Sequence, residues 1–255
     1  MAEDDITKGY FKNFLDYYKE GYHKDVWEQL IFMGDTIRDS KYFPDVFEVT
    51  MELMDRVRKN ILLLKERLIN IGYSFKDPEK AYVPPDNDIE SILDIYEEEN
   101  GLLPLSLKCF YIKVGSVDFR QSKEQLIFYG DEKYRYAPIL NVLGDLNPLL
   151  VFPVKTLLKC KVVASGKTVY SFSDDEFGKA GYSGNLYTLS IPNPSADGRI
   201  EFLGDISFVE YLRVSIESGG FYGRTVMYDD YDDIPLRYLP KDDLFKELSE
   251  DLIPF

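Results

Sequence analysis

Residues 89–119 read IESILDIYEEENGLLPLSLKCFYIKVGSVDF, and the order of helix formers and breakers here decides the fold. Asn87 and Glu90 have capping-box spacing, which predicts Asn87 as N-cap and Glu90 at the third helical position. Ile89, Ile92, Leu93 and Tyr96 recur on one helical face. Glu97, Glu98 and Glu99 read as the solvated end of that helix, and Gly101 supplies a left-handed stop. Pro104 fits the first turn of a second helix, where its missing N–H costs nothing. Leu103, Leu107, Phe110, Tyr111 and Val114 give this helix its own apolar face, and Gly115 closes it. Val117, Asp118 and Phe119 then alternate as a strand does. Two helices hinged at Leu-Pro and feeding a strand through a glycine are architecture. Any partner surface is therefore expected elsewhere, in acidic and aromatic loops or on the helices upstream.

Towards the N-terminus, residues 76–88 hold Lys76-Asp77-Pro78, Pro84-Pro85 and Asp86-Asn87-Asp88, a linker composition. It divides the chain into a helical part, 1–81, and a second domain, 82–255. In the first part Tyr10, Phe11, Phe14, Leu15 and Tyr18 recur at helical spacing, as do Val26, Trp27, Leu30 and Ile31. Pro44 opens the longest helix, with Phe47, Met51, Met54, Val57, Ile61, Leu64 and Leu68 on one face and Gly72 at its end. At 1.5 Å per residue it is on the order of 40 Å long. A helical hairpin or three-helix extension is expected, packed on the second domain or presenting its aromatic surface to a partner.

Towards the C-terminus the pattern changes to short apolar runs between turn residues, at 126–129, 149–152, 161–164, 168–172, 186–191 and 199–202. Ser207 and Glu210 then form a capping box before Phe208, Tyr211, Leu212 and Ile216, and Gly219-Gly220 ends that helix. Short strands with few helices between them predict an α+β domain, a largely antiparallel twisted sheet packed with helices.

Glu97, the Gly101-Leu102-Leu103-Pro104 turn, Leu107-Lys108 and Phe110-Tyr111 ending at Val114-Gly115 resemble the opening signature of the SUKH superfamily. This is the fungal cell-wall-synthesis-regulator-like family, whose bacterial members are often immunity proteins against polymorphic toxins. The resemblance continues through Asp175-Glu176-Phe177, the run 179–184, Pro192, Ala196-Asp197, the run 208–213 and Gly219-Gly220-Phe221, as in one bacterial branch. It implies a SUKH-like α+β fold and a non-enzymatic protein that binds and neutralises a cognate toxin, often a nuclease. The alternative it implies is a regulatory or scaffold protein like the eukaryotic relatives. The helical part, 1–81, lies outside the family's minimal core.

The composition is compatible with this. The 255 residues carry a formal net charge of −15, with 45% hydrophobic residues, 20 tyrosines and 17 phenylalanines. Such a field repels nucleic acid and anionic membrane and steers basic partners, though it serves solubility equally well. The N-terminal Met-Ala-Glu-Asp-Asp has no apolar signal region, and the longest apolar runs are too short to span a bilayer. A cytoplasmic protein is expected.

Catalytic patterns are scarce. His23 is the sole histidine, expected on a surface helix, which removes most nucleophile–base arrangements. Cys109 and Cys160 follow no metal spacing, and Cys109 reads as a buried thiol. Gly166-Lys167-Thr168 resembles the tail of a phosphate loop, but Lys161 stands where that loop needs glycine, so a hairpin turn is predicted. The adjacent carboxylates Asp174-Asp175-Glu176 read as a solvated loop. No catalytic, cofactor-binding or metal-binding residue is assigned. Tyr228, Asp229, Asp230, Tyr231, Asp232 and Asp233 combine rigid aromatic area with charge, which suits them to grip a basic protein.

Overall fold

The structure, a computed structural model, describes residues 13–125, 143–164, 167–181, 183–201, 203, 206–222 and 242–255. Helix α1 (Phe14–Lys19) is capped by Asn13, whose side chain accepts from the Asp16 N–H at 3.2 Å. Its Phe14 and Leu15 N–H groups, orphaned at the helix start, donate to Asp45 at 2.6 and 3.2 Å. Helix α2 (His23–Phe32) and a 3-10 turn (Gly34–Arg38) lead into α3 (Phe43–Asn70). Pro44 lies in the first turn of α3, and Gly72, with φ of +86°, follows its end. The helix has 28 residues, hence a length of about 42 Å.

Helix α3 is more deeply enclosed than one apolar stripe predicts. Val46, Val49, Thr50, Leu53 and Asn60 are buried beside Met54, Val57, Ile61, Leu64 and Leu68, while Phe47 and Met51 are only partly covered. The reason is that α3 is packed on several sides, with α1 on one of them. A two-sided environment needs a wider buried arc than a surface helix does.

Residues 75–88 meet residues 116–121 at two points. Phe75 bridges Gln121, and β1 (Tyr82–Val83) pairs antiparallel with β2 (Ser116–Asp118). Between them lie α4 (Ile89–Asn100) and α5 (Leu105–Lys113). The N-cap of α4 is Asp88, with no side-chain cap bond, so the Asn87–Glu90 capping box does not form. The Ile89 N–H instead donates to the Asp86 carbonyl at 3.2 Å, a turn that shifts the helix start by one residue. Gly101 has φ of +90° and ψ of 168°, an extended conformation open to glycine rather than the left-handed helical one. Gly115, at φ of +92°, closes α5 where an added Cβ would lie 2.3 Å from the Val83 carbonyl oxygen.

The strands divide into two antiparallel sheets. β2 also pairs with β3 (Leu150–Val151), giving the order β1-β2-β3. After the short α6 (Val154–Leu157) come β4 (Lys161–Ala164), β5 (Lys167–Asp174), α7 (Glu176–Ala180), β6 (Leu186–Ser190) and β7 (Ile200–Glu201). These four strands pair in sequence order. Ala164 pairs with Lys167, so Lys167 and Thr168 belong to a β-hairpin, as the missing loop glycine predicts. The β5–β6 register shifts between Ser171 and Ser173. Phe172 at that bulge is fully buried, and its carbonyl accepts the Phe152 N–H at 2.7 Å, which ties the two sheets together.

Helix α8 (Phe208–Glu217) starts as predicted, with the Ser207 side chain accepting from the Glu210 N–H. Edge-to-face rings at centroid distances of 5.5 and 5.3 Å link Phe110 to Phe208 and Phe208 to Phe172. They join α5, α8 and β5. Helix α9 (Asp242–Ser249) and the segment after it return to α3. The fold is thus mixed helix and antiparallel sheet, in the α+β class. Buried side chains from Phe14 to Phe255 form one cluster. Among the described residues, no helix is long and apolar enough to cross a membrane.

Candidate functional site

The tyrosines and aspartates at 228–233 lie outside the described residues. Other candidates fall in ordinary places. Cys109 is fully buried in α5, and burial pushes its thiol up to about 12, which makes it an inert core residue. His23 opens α2, half-buried, with its Nε2 facing an arginine rather than a nucleophile. No group of three metal-ligating side chains comes together among the described residues. Asp174 and Asp175 are not the solvated loop that their sequence predicts. Asp174 accepts from Arg120 at 3.0 Å, and Asp175 caps α7 by accepting from the Gly178 N–H at 2.8 Å.

Glu97, Leu102, Leu103, Lys108 and Asp197 converge around the turn between α4 and α5. Glu97 is not solvated. Its side chain is 7% exposed, and its carboxylate accepts from the Leu103 N–H at 2.9 Å and from Lys108 at 2.5 Å. The N–H groups just beyond a helix need an acceptor, and Glu97 supplies one from the last turn. Burial works against the charge of Lys108, but hydrogen bonds to Asp94 and Glu97 outweigh it and hold the ammonium above its ordinary range.

The other side of the turn is closed by residues 191–198. The Asn193 N–H donates to Leu102 at 2.7 Å, and the first N–H groups of α5, on Leu105 and Ser106, donate to Ser195 and Ala196. Arg38 reaches in from the upstream helices, donating to the carbonyls of Leu103 and Pro194 at 2.7 and 2.8 Å. Asp197 is the centre. It accepts from Ser106 at 2.8 Å, the Gly198 N–H at 2.9 Å and the Val209 N–H at 3.2 Å. Burial pushes its carboxyl up, against the downward pull of those donors and Ser207. One carboxylate therefore fixes the starts of both α5 and α8.

A second buried polar centre holds α7 in place. Lys179, 6% exposed, donates to Asn147 at 2.6 Å and to the Tyr211 hydroxyl at 3.0 Å, with the Tyr187 ring 4.8 Å away. Its donors all point at protein groups, an arrangement that suits an anchor better than a reactive amine.

Beside the exposed Leu102 and Pro192 at the turn itself, the knot presents the outer side of α4 to solvent. Glu90, Asp94 and Glu98 are exposed at i, i+4 and i+8. Beside them run Ser91, Ile95 and Glu99, and Ile95 keeps 58% of its surface in water. Asp88 extends the negative face past the helix start, where the helix dipole favours it, while Asp86 pairs with Lys155 at 2.9 Å. Lys108, at 15% side-chain exposure beneath this face, pairs with Asp94 at 2.8 Å and offsets part of its charge, which leaves Glu90, Glu98 and Glu99 as the main negative groups of the face.

Searches of protein-family models, curated proteins and solved structures return no match.

The α4 face therefore stands on its own geometry. Its signal was present in the sequence as acids at i, i+4 and i+8 around an isoleucine. Assigning Ile89, Leu93 and Tyr96 to the core leaves Ile95 pointing outward.

Proposed function

We propose that the chain is a non-enzymatic protein-binding module of SUKH type, a cytoplasmic immunity protein that binds and neutralises a basic toxin such as a nuclease. The observation that carries this reading is the exposed α4 face, an apolar Ile95 anchor flanked by Glu90, Asp94, Glu98 and Glu99. Complementary charge raises the encounter rate and excludes wrong partners, and an apolar anchor ringed by polar groups is the usual anatomy of an interface centre. The net charge of −15 strengthens the same field. The knot beneath α4 supports the reading, because it gives the face a fixed backbone and a low ordering cost on binding.

The test is co-expression with the product of the adjacent gene, scoring both complex formation and rescue from toxicity. Rescue by the wild type, lost in a Glu90→Lys, Asp94→Lys, Glu98→Lys variant that still folds, is the expected result. If no complex forms and toxicity persists with the wild type, the proposal fails.

A further inference from the structure

We propose that His23 and Arg56 form an acid-sensitive latch that joins the start of α2 to the segment following α9. The segment is strapped to α3 and α8 by side chains bonding its main chain. Asn60, buried within α3, accepts the Ile253 N–H and donates to the Ile253 carbonyl, both at 2.8 Å. Arg67 donates to the carbonyls of Leu248, in the last turn of α9, and of Glu250 just beyond it, at 2.8 and 2.5 Å. Arg213 of α8 donates to the Phe255 main-chain oxygen at 2.8 Å. Arg56 completes the strap with a 3.0 Å bond to the Pro254 carbonyl.

The nitrogen of Arg56 that holds Pro254, Nη1, also lies 2.5 Å from His23 Nε2. A guanidinium keeps all its protons and has no acceptor, so the imidazole must accept through Nε2 and carry its proton on Nδ1. The guanidinium cannot easily turn away, since its Nε is bonded to Glu52 at 2.8 Å. The Tyr18 ring of α1 stands edge-on to the imidazole at 4.8 Å and lies under the Arg56 guanidinium at 5.1 Å. A proton on Nε2 would leave two cationic donors facing each other with no lone pair between them. Either the ring or the arginine then has to leave, and the arginine takes the Pro254 bond with it.

The charged and titratable groups facing His23 favour the neutral imidazole. Arg56 of α3 and Arg213 of α8 oppose a positive charge there, Glu52 of α3 is the one described counter-charge among them, and Tyr18 contributes no charge near neutrality. Burial is the largest effect, and together these hold His23 below its ordinary value of about 6.5. A base whose folded-state pKa is depressed takes up its proton more readily in the unfolded chain. Its contribution to stability is thus complete above about pH 6.5 and is lost as pH falls from there to the folded-state value. Asp174 and Asp197, whose carboxyls burial pushes up, act in the opposite sense on acidification.

The molecule carries its own reporters. His23 is the only histidine and Trp27, four residues further along α2, is the only tryptophan. Nitrogen NMR of the full chain should show the two ring resonances of one imidazole, with the Nδ1–H tautomer at pH 7.5 and a titration midpoint below about 6.5. Between pH 7.5 and 5.5 the urea midpoint of the wild type should fall relative to His23→Gln, whose amide oxygen accepts from Arg56 without titrating. Protection of the Ile253 amide, corrected for intrinsic exchange, should fall over the same range in the wild type alone. An Nε2–H tautomer, or a midpoint at or above the ordinary histidine value, would overturn the latch even if the variant did not fold. Identical pH responses of wild type and His23→Gln would overturn it as well.

Discussion

A methyl group at Gly115 would lie 2.3 Å from the Val83 carbonyl oxygen and 2.8 Å from Pro84 and Pro85 backbone atoms. Its φ of +92° adds a conformation that L residues rarely adopt. The backbone strain alone is worth about 1–3 kcal/mol, and the contact with β1 adds to it. Gly115→Ala should therefore lower the urea-denaturation free energy by more than Gly21→Ala. Gly21 shares the positive φ, at +108°, but has nothing within 4 Å of its added Cβ. Equal losses in the two would mean that close approach to β1 contributes nothing. Asp197 is the other residue on which much depends. Asp197→Ala strands the Val209 and Gly198 N–H groups and the Ser106 hydroxyl, at a cost on the order of 3 kcal/mol. Asp197→Asn keeps one acceptor oxygen and should cost about 1–2 kcal/mol. Near-wild-type urea midpoints for both variants would remove Asp197 from the centre of the knot.

Among the elements, those defined by their own residues were legible in the sequence. Ser207 caps α8, Pro44 opens α3 and Gly115 ends α5, because a cap, a fixed φ or a missing Cβ acts within a few residues. What could not be read was which of several nearby polar groups would win each orphan donor or acceptor. Asn87 lost its role when the Ile89 N–H found the Asp86 carbonyl. Glu97 turned inward because Leu103 and Lys108 offered donors. Asp175 became the cap of α7 by accepting from Gly178 and Asn185, contacts that the charged run Asp174-Asp175-Glu176 does not announce. Helices α6, α7 and α9 are too short for periodicity to separate them from loops. The surface on α4 was hidden for a different reason. A stripe of glutamates reads as solvation unless the inward residues are known, and only the packed face of α4 shows that Ile95 is left outside. If that face docks a basic partner, association should slow as salt is raised, and the triple lysine variant should remove most of that salt dependence. A wild-type association rate indifferent to ionic strength would argue against charge steering at this face.

At the scale of the whole molecule, α3 is shared by both ends of the chain. Its buried face belongs to the same cluster as Leu107, Phe110, Leu212 and Phe245. Arg38 also reaches from the upstream helices to Leu103 and Pro194. Removing residues 1–81 should accordingly leave 82–255 without a cooperative unfolding transition, checked by circular dichroism and gel filtration. A monomeric product that unfolds cooperatively would show that the core downstream of the linker is self-sufficient. A partner-binding test is therefore better made with surface charge reversals than with that truncation. The bond from Asn60 to Ile253 spans 193 positions of sequence. At synthesis rates of 5–20 residues per second, about 10–40 s separate the emergence of these two residues. Throughout that interval the side of α3 that receives the strap lacks the cover of that segment. The nascent chain thus passes through a stage in which its longest amphipathic helix is complete but open, when holding by a chaperone would matter most.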